Sequence, residues 1–143
     1  MIVPDVNLLL YAYFTDFPMH EVARPWWEAR LSEASGIGLC APAVLGFVRI
    51  ATNRRVFRNA MDLDGALGIT ESWLSRPAVR FLAPGPDHLA SVSRLLRAAG
   101  TSKDLTTDAQ IAALALQAGG TVASSDGDFA RFPGVRWTNP LTS

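Results

Sequence analysis

Three aspartates stand where a metal-assisted reaction would need them. Asp5 ends the short apolar run at residues 1–4, and Asp126 follows a similar run at 121–124. Asp108 falls in the first turn of the helical pattern that leads into the second run. Carboxylates brought together repel unless a positive charge sits between them. Hard oxygen ligands of this kind select Mg2+ or Mn2+. Such an ion polarises a phosphodiester and activates a water, and two ions can clamp both oxygens of an in-line displacement. The chain has no histidine pair and no cysteine cluster, which disfavours zinc. Each acid also has a simpler use. Asp5 can cap the helix after it, Asp126 can cap a short helix at 127–131, and Asp108 suits a helix N-terminus through the macrodipole. Spacing alone leaves both uses open.

The elements that must position these acids follow from the apolar pattern. Strands are expected at 1–4, 37–40, 79–82, 121–124 and 135–137, the first with Pro4 in its last position. Helices are expected at 7–14, capped by Asp5 or Asn7, and at 19–34. The second of these has Val22, Trp26 and Ala29 or Leu31 inward and Pro25 as an interruption. Further helices open at Pro42, near Asp62 or Asp64, and after Asp87, the last with Leu89, Val92, Leu95 and Leu96 on one face. The last long helix begins at Asp104 or Thr106 and stops at Gly119-Gly120. Short strands alternating with helices predict one α/β domain over residues 1–143, a parallel sheet of four to five strands covered on both faces. In such a sheet ligands bind beyond the carboxyl ends of the strands. Asp5 and Asp126 would share that edge, with Asp108 beside it.

Composition narrows the class. The sequence has 143 residues, 49% hydrophobic and 18% charged, which is enough apolar material for a real core. Thirteen basic and thirteen acidic residues balance, which counts mildly against a dedicated nucleic-acid binder, but local fields outweigh the sum. Arg49, Arg54, Arg55 and Arg58 lie close together in sequence. The single Cys40, between Leu39 and Ala41, reads as a buried small hydrophobe. The first residues lack the pattern of a signal peptide, and no run approaches a membrane span. A cytoplasmic location is the expectation.

The run Pro4-Asp5-Val6-Asn7-Leu8-Leu9 resembles the opening of PIN domains. Thr107-Asp108-Ala109-Gln110-Ile111-Ala112-Ala113 is similar to that family's Asp-Ala-x-x-Ala-Ala helix, and Ser124-Ser125-Asp126-Gly127-Asp128-Phe129 to its Ser/Thr-x-Asp-x-Asp-Phe segment. The stretches from Phe47 to Phe57 and from Phe132 to Pro140 resemble the VapC toxin branch. The resemblance implies a PIN-like three-layer sandwich and a ribonuclease using Mg2+ or Mn2+ and a metal-activated water. It implies a transfer or ribosomal RNA substrate, inhibition by a VapB-type antitoxin, and a homodimer. Asp5, Asp108 and Asp126 would then be catalytic and metal-binding, with Asp128 as a further metal-site acid. Asn7, Ser124 and Ser125 would orient ligands or water.

One departure concerns the helix that opens at Pro42, where many relatives carry a Glu and this chain has Gly46. Fewer carboxylates imply weaker metal binding, with Asp128 or Asp104 as candidates to compensate. That departure supports an alternative, a degenerate PIN fold that binds RNA or a protein without cutting. A phosphatase with Asp5 as nucleophile is a third possibility. It is disfavoured by the lack of a Gly-rich phosphate loop and of a second acid two residues on. Arg49, Arg54 and Arg55 are candidate RNA-phosphate contacts, with Arg58 more simply a solvated charge. His20 and His88 read as structural. Trp26 fits the core face of its helix, leaving Trp27 to point toward an antitoxin or a second copy.

Overall fold

The computed structural model describes residues 1–100 and 103–142. Five strands form one parallel sheet: β1 (Ile2–Pro4), β2 (Ile37–Leu39), β3 (Val79–Phe81), β4 (Thr121–Ala123) and β5 (Trp137–Thr138). The helices are α1 (Val6–Tyr13), α2 (His20–Ser32), α3 (Ala41–Ala51), α4 (Leu63–Leu74), α5 (His88–Ala99) and α6 (Thr106–Ala118), with a 3-10 helix at Gly127–Arg131. The strand order is β3-β2-β1-β4-β5. The chain leaves β1 toward β2 and β3, then crosses back to place β4 on the other side of β1. This is the α/β three-layer architecture that the alternating pattern predicts, and its switch point lies between β1 and β4.

Register fixes the site before any side chain is considered. Ile2, Val3 and Pro4 align with Thr121, Val122 and Ala123. The Asp5 N–H continues the ladder to Ala123 O at 2.9 Å. Asp5 and Ser124 therefore face one another where the two strands end. Pro4 sits last in β1, as expected from its missing donor. Gly119 ends α6 at φ 67°, a left-handed conformation that glycine adopts without a Cβ penalty.

The core is continuous, with Leu8, Leu9, Phe47, Ile111, Leu114 and Phe129 all fully buried. Phe14 stacks on Phe57 with ring centroids 3.9 Å apart. Two expectations fail on helix phase. In α2 the buried residues are Ala23 and Trp27, while Val22 is exposed and Trp26 half-buried. Trp27 packs edge-on against Trp73 at 5.5 Å, so it is the core tryptophan and not an outward contact. A frame set on Val22 and Trp26 is one residue, or about 100°, out of phase. In α5 Val92 and Leu95 are buried as expected, but Leu89 is exposed, Leu96 is half-buried and Ala99 completes the buried face.

Candidate active site

The site forms where β1 and β4 end. Asp5 is 5% exposed and caps α1, its Oδ1 accepting the Val6 N–H at 2.7 Å. Asp126 caps the 3-10 helix, accepting the Asp128 N–H at 2.9 Å. Both acids thus do the capping that sequence allows, and Ser124 still joins them where the strands end. The fully buried Ser124 hydroxyl connects them. It donates to Asp5 Oδ2 at 2.7 Å and accepts the Asp126 N–H at 3.0 Å. Its single proton is spent on Asp5, so toward Asn7 it can only accept, from Nδ2 at 3.4 Å. That orientation leaves Asn7 Oδ1 buried without a hydrogen-bond partner. Ser125, equally a candidate by sequence, takes no part in this network.

Asp108 enters from the first turn of α6. It lines a cleft of about 270 Å3 with Asp5, Val6, Asn7, Leu10, Arg49, Ile50 and Thr107. Burial, then the negative charges of Asp5, Asp126, Asp128 and Asp104, push its carboxyl up to about 7. Asp5 is also raised, first by burial and partly by Asp126, against the lowering effect of its bonds from Ser124 and Val6. Burial leads both shifts, and the neighbouring carboxylates add to them.

Asp128 is held differently. Its carboxylate pairs with Lys103 at 3.0 Å and with Arg131 at 3.7 Å, and the Lys103 contact first of all holds it below the usual range. It contributes field to Asp108 while its own charge is already matched. Asp104 is exposed and accepts the Thr106 N–H at 3.0 Å, a local contact at the start of α6. Arg49 is exposed in the last turn of α3 and borders the cleft. Arg54 and Arg55 lie on the exposed turn beyond α3, outside the cleft lining. Arg58 is exposed as well.

Gly46 lies on α3 directly against α1. A Cβ placed there would stand 2.7 Å from Val6 Cγ2. A side chain at position 46 has no room while Val6 keeps its place. Cys40 is fully buried at the start of α3, where burial pushes its thiol up to about 11. His20 Nδ1 lies 2.9 Å from Tyr11 O, a tie between α1 and α2 away from the acids. His88, at the start of α5, lines a different pocket. Lys103 and Thr107 are the site neighbours that sequence reasoning missed. Thr107 stands inside a motif already singled out, whereas Lys103 meets its partner across 25 residues, with no local signal.

The donor set is all hard oxygen: three carboxylates and the unpartnered Asn7 carboxamide oxygen. Among the described residues Asp5 and Asp108 line an open cleft, and no three acids close into a cage of ligating side chains. An open acidic site fits Mg2+, which keeps several waters and takes one or two carboxylates from the protein.

Fold and site together define an open α/β protein with an acidic, oxygen-donor cleft at the sheet's switch point. The chain belongs to the PIN-domain family, whose model matches residues 2–135. Ribonuclease VapC33 of Mycobacterium tuberculosis is 45% identical, over 99% of both chains. Ribonuclease VapC37 of the same organism is 35% identical, over 98% of this chain and 97% of that protein. Two solved structures share the fold. VapBC-1 from nontypeable Haemophilus influenzae aligns with a TM-score of 0.70 at 14% identity, over 99% of this chain and 100% of that one. FitAcB from Neisseria gonorrhoeae aligns at 0.66 and 19% identity, over 98% of each.

Proposed function

We propose that the chain is a Mg2+- or Mn2+-dependent endoribonuclease, the toxin of a type II toxin–antitoxin pair. The observation that carries the reading is the Ser124 hydroxyl, which ties Asp5, Asn7 and Asp126 together opposite an Asp108 whose carboxyl is raised to about 7. The ribonuclease relatives supply the substrate class. Asp5, Asp108 and Asp126 would hold the ion, with Asp128 adding charge from behind its own cations. A divalent ion so held supplies charge neutralisation at the phosphodiester and activation of a water. Ser124 fixes the rotamer of Asp5 and, through the Asp126 N–H, the backbone that presents Asp126, and so lowers the cost of orienting them. Asn7 Oδ1 is placed to accept from a water. Arg49 holds a substrate phosphate at the cleft mouth. Arg54 and Arg55 would serve RNA bound further along α3.

The partner we propose is a VapB-type antitoxin. A groove of about 450 Å3 lined by Ala12, Tyr13, Leu31 and the edges of Trp27 and Trp73 supports this. A transfer or ribosomal RNA substrate, a homodimer and a cytoplasmic location belong to the same reading. Among the described residues no helix is long and apolar enough to cross a membrane.

The alternative, a PIN fold that binds without cutting, draws on the closed space at Gly46. One experiment separates the two. The purified chain, free of antitoxin, is incubated with total bacterial RNA and Mg2+ or Mn2+, with EDTA and Asp5→Ala as controls. Discrete fragments that vanish in both controls support the nuclease. Intact RNA under every metal condition, with the protein folded, supports the binding-only reading.

A further inference from the structure

We infer that Lys103 is a substrate-strand contact, held in reserve by Asp128 until an RNA phosphate replaces that carboxylate. The inference rests on the ribonuclease reading above. It starts from the placement of cations around the acids. Arg49 reaches the cleft on α3, which follows β2, on one side of β1. Lys103 meets Asp128 on the other side, beyond β4, where the Asp128 N–H bonds Asp126. A single strand laid across the acids from the β2 side to the β4 side meets Arg49, then Asp5 and Asp108, then Lys103.

The two cations on Asp128 are not equivalent. Arg131 is anchored, one guanidinium nitrogen donating to Ala99 O at 2.8 Å while another faces Asp128 at 3.7 Å. Lys103 is 61% exposed on its side chain and makes the nearer contact at 3.0 Å. Exposed ion pairs are weak and easily exchanged for another anion. If Lys103 turns to a phosphate, Arg131 remains as the counter-ion of Asp128. The carboxylate is therefore not stranded, and Lys103 is the surplus cation. A lysine suits this role, because its flexible stem and three rotatable donors take a phosphate from many directions.

The test is binding of a fluorescent mixed-sequence single-stranded RNA in EDTA, where cleavage is silent, across a series of salt concentrations. Lys103→Ala is expected to weaken binding several-fold. It should also flatten the log K against log salt slope by about 0.7, one phosphate contact on a single strand, with Tm unchanged. Lys103→Arg should restore both. Asp128→Asn is expected to tighten binding several-fold by releasing Lys103, and this gain should disappear in the Lys103→Ala background. A purely structural ion pair would instead give matched losses of Tm in both single variants and no change in slope, which overturns the inference. A general charge effect of Asp128 would persist without Lys103, and that persistence overturns it equally. If the wild type binds RNA and Lys103→Ala matches it, the inference alone fails. If the wild type neither binds nor cleaves RNA, the ribonuclease reading fails with it.

Discussion

Val6 and Gly46 share one space. The position where a Cβ on Gly46 would stand lies 2.7 Å from Val6 Cγ2, and Val6 is the residue that follows Asp5 at the start of α1. A β-branched side chain in a helix has one strongly preferred rotamer, so Val6 cannot easily turn away. The missing fourth acid is thus a packing fact as well as a sequence fact. The close meeting of α1 and α3 leaves no space beside Asp5 for a further acid from position 46.

Gly46→Glu is therefore expected to overpack the α1–α3 contact and cost about 1–3 kcal/mol without tightening metal binding. The double variant Val6→Ala with Gly46→Glu should recover stability and bind Mn2+ more tightly than the wild type. Urea denaturation and Mn2+ calorimetry check the two effects separately. Tighter Mn2+ binding by the single variant would show that Val6 yields.

Ser124→Ala should weaken Mn2+ binding and cleavage by about 10–100-fold, as expected when the group orienting a ligand is removed. It leaves Asp5 Oδ2 and Asn7 Nδ2 without their partner. Ser125→Ala should stay close to the wild type. Equal effects from the two serines would remove Ser124 from its central role.

The raised carboxyl of Asp108 makes stability depend on pH. Its folded value of about 7 lies above the ordinary 3.8, because of burial and then Asp5, Asp126, Asp128 and Asp104. Between those values the folded chain holds a proton that the unfolded chain has lost. Without metal, stability should therefore fall as pH rises from about 4 to about 7. Asp5, shifted the same way, adds to the trend. Mg2+ binding needs the ionised carboxylates, so its affinity should rise through the same window. Urea midpoints at pH 5 and pH 8 in EDTA check this. Asp108→Asn should show a smaller drop than the wild type, and an equal drop would assign the effect to other groups.

Trp27→Ala removes a buried ring from between α2 and Trp73. A loss of about 3–5 kcal/mol in urea denaturation is expected. A loss under about 1 kcal/mol would mean the α2 frame is wrong and Trp26 is the core residue.

In α2 the one-dimensional pattern reaches its limit. Val22 and Trp26 give a plausible apolar stripe, and so do Ala23 and Trp27 one residue on. Only Trp73, far along the chain on α4, selects between them. The same limit applies to the hydroxyls. Ser124 and Ser125 are indistinguishable along the chain, and the β1–β4 register aims Ser124 at Asp5.

The amino-acid sequence by itself determined the α/β alternation, the parallel sheet, and the placing of Asp5 and Asp126 at strand ends with Asp108 in a helix's first turn. These are local properties, set by apolar period, turn residues and strand-end position. Tertiary structure decided which side chains meet. It chose Ser124 over Ser125, gave Asp128 to Lys103 and Arg131, buried Trp27, and closed the space at Gly46 with Val6. Apart from the local Asp128–Arg131 pair, each of these depends on contacts between segments far apart in the chain. Strand register and helix crossing set those contacts, and no local pattern encodes them.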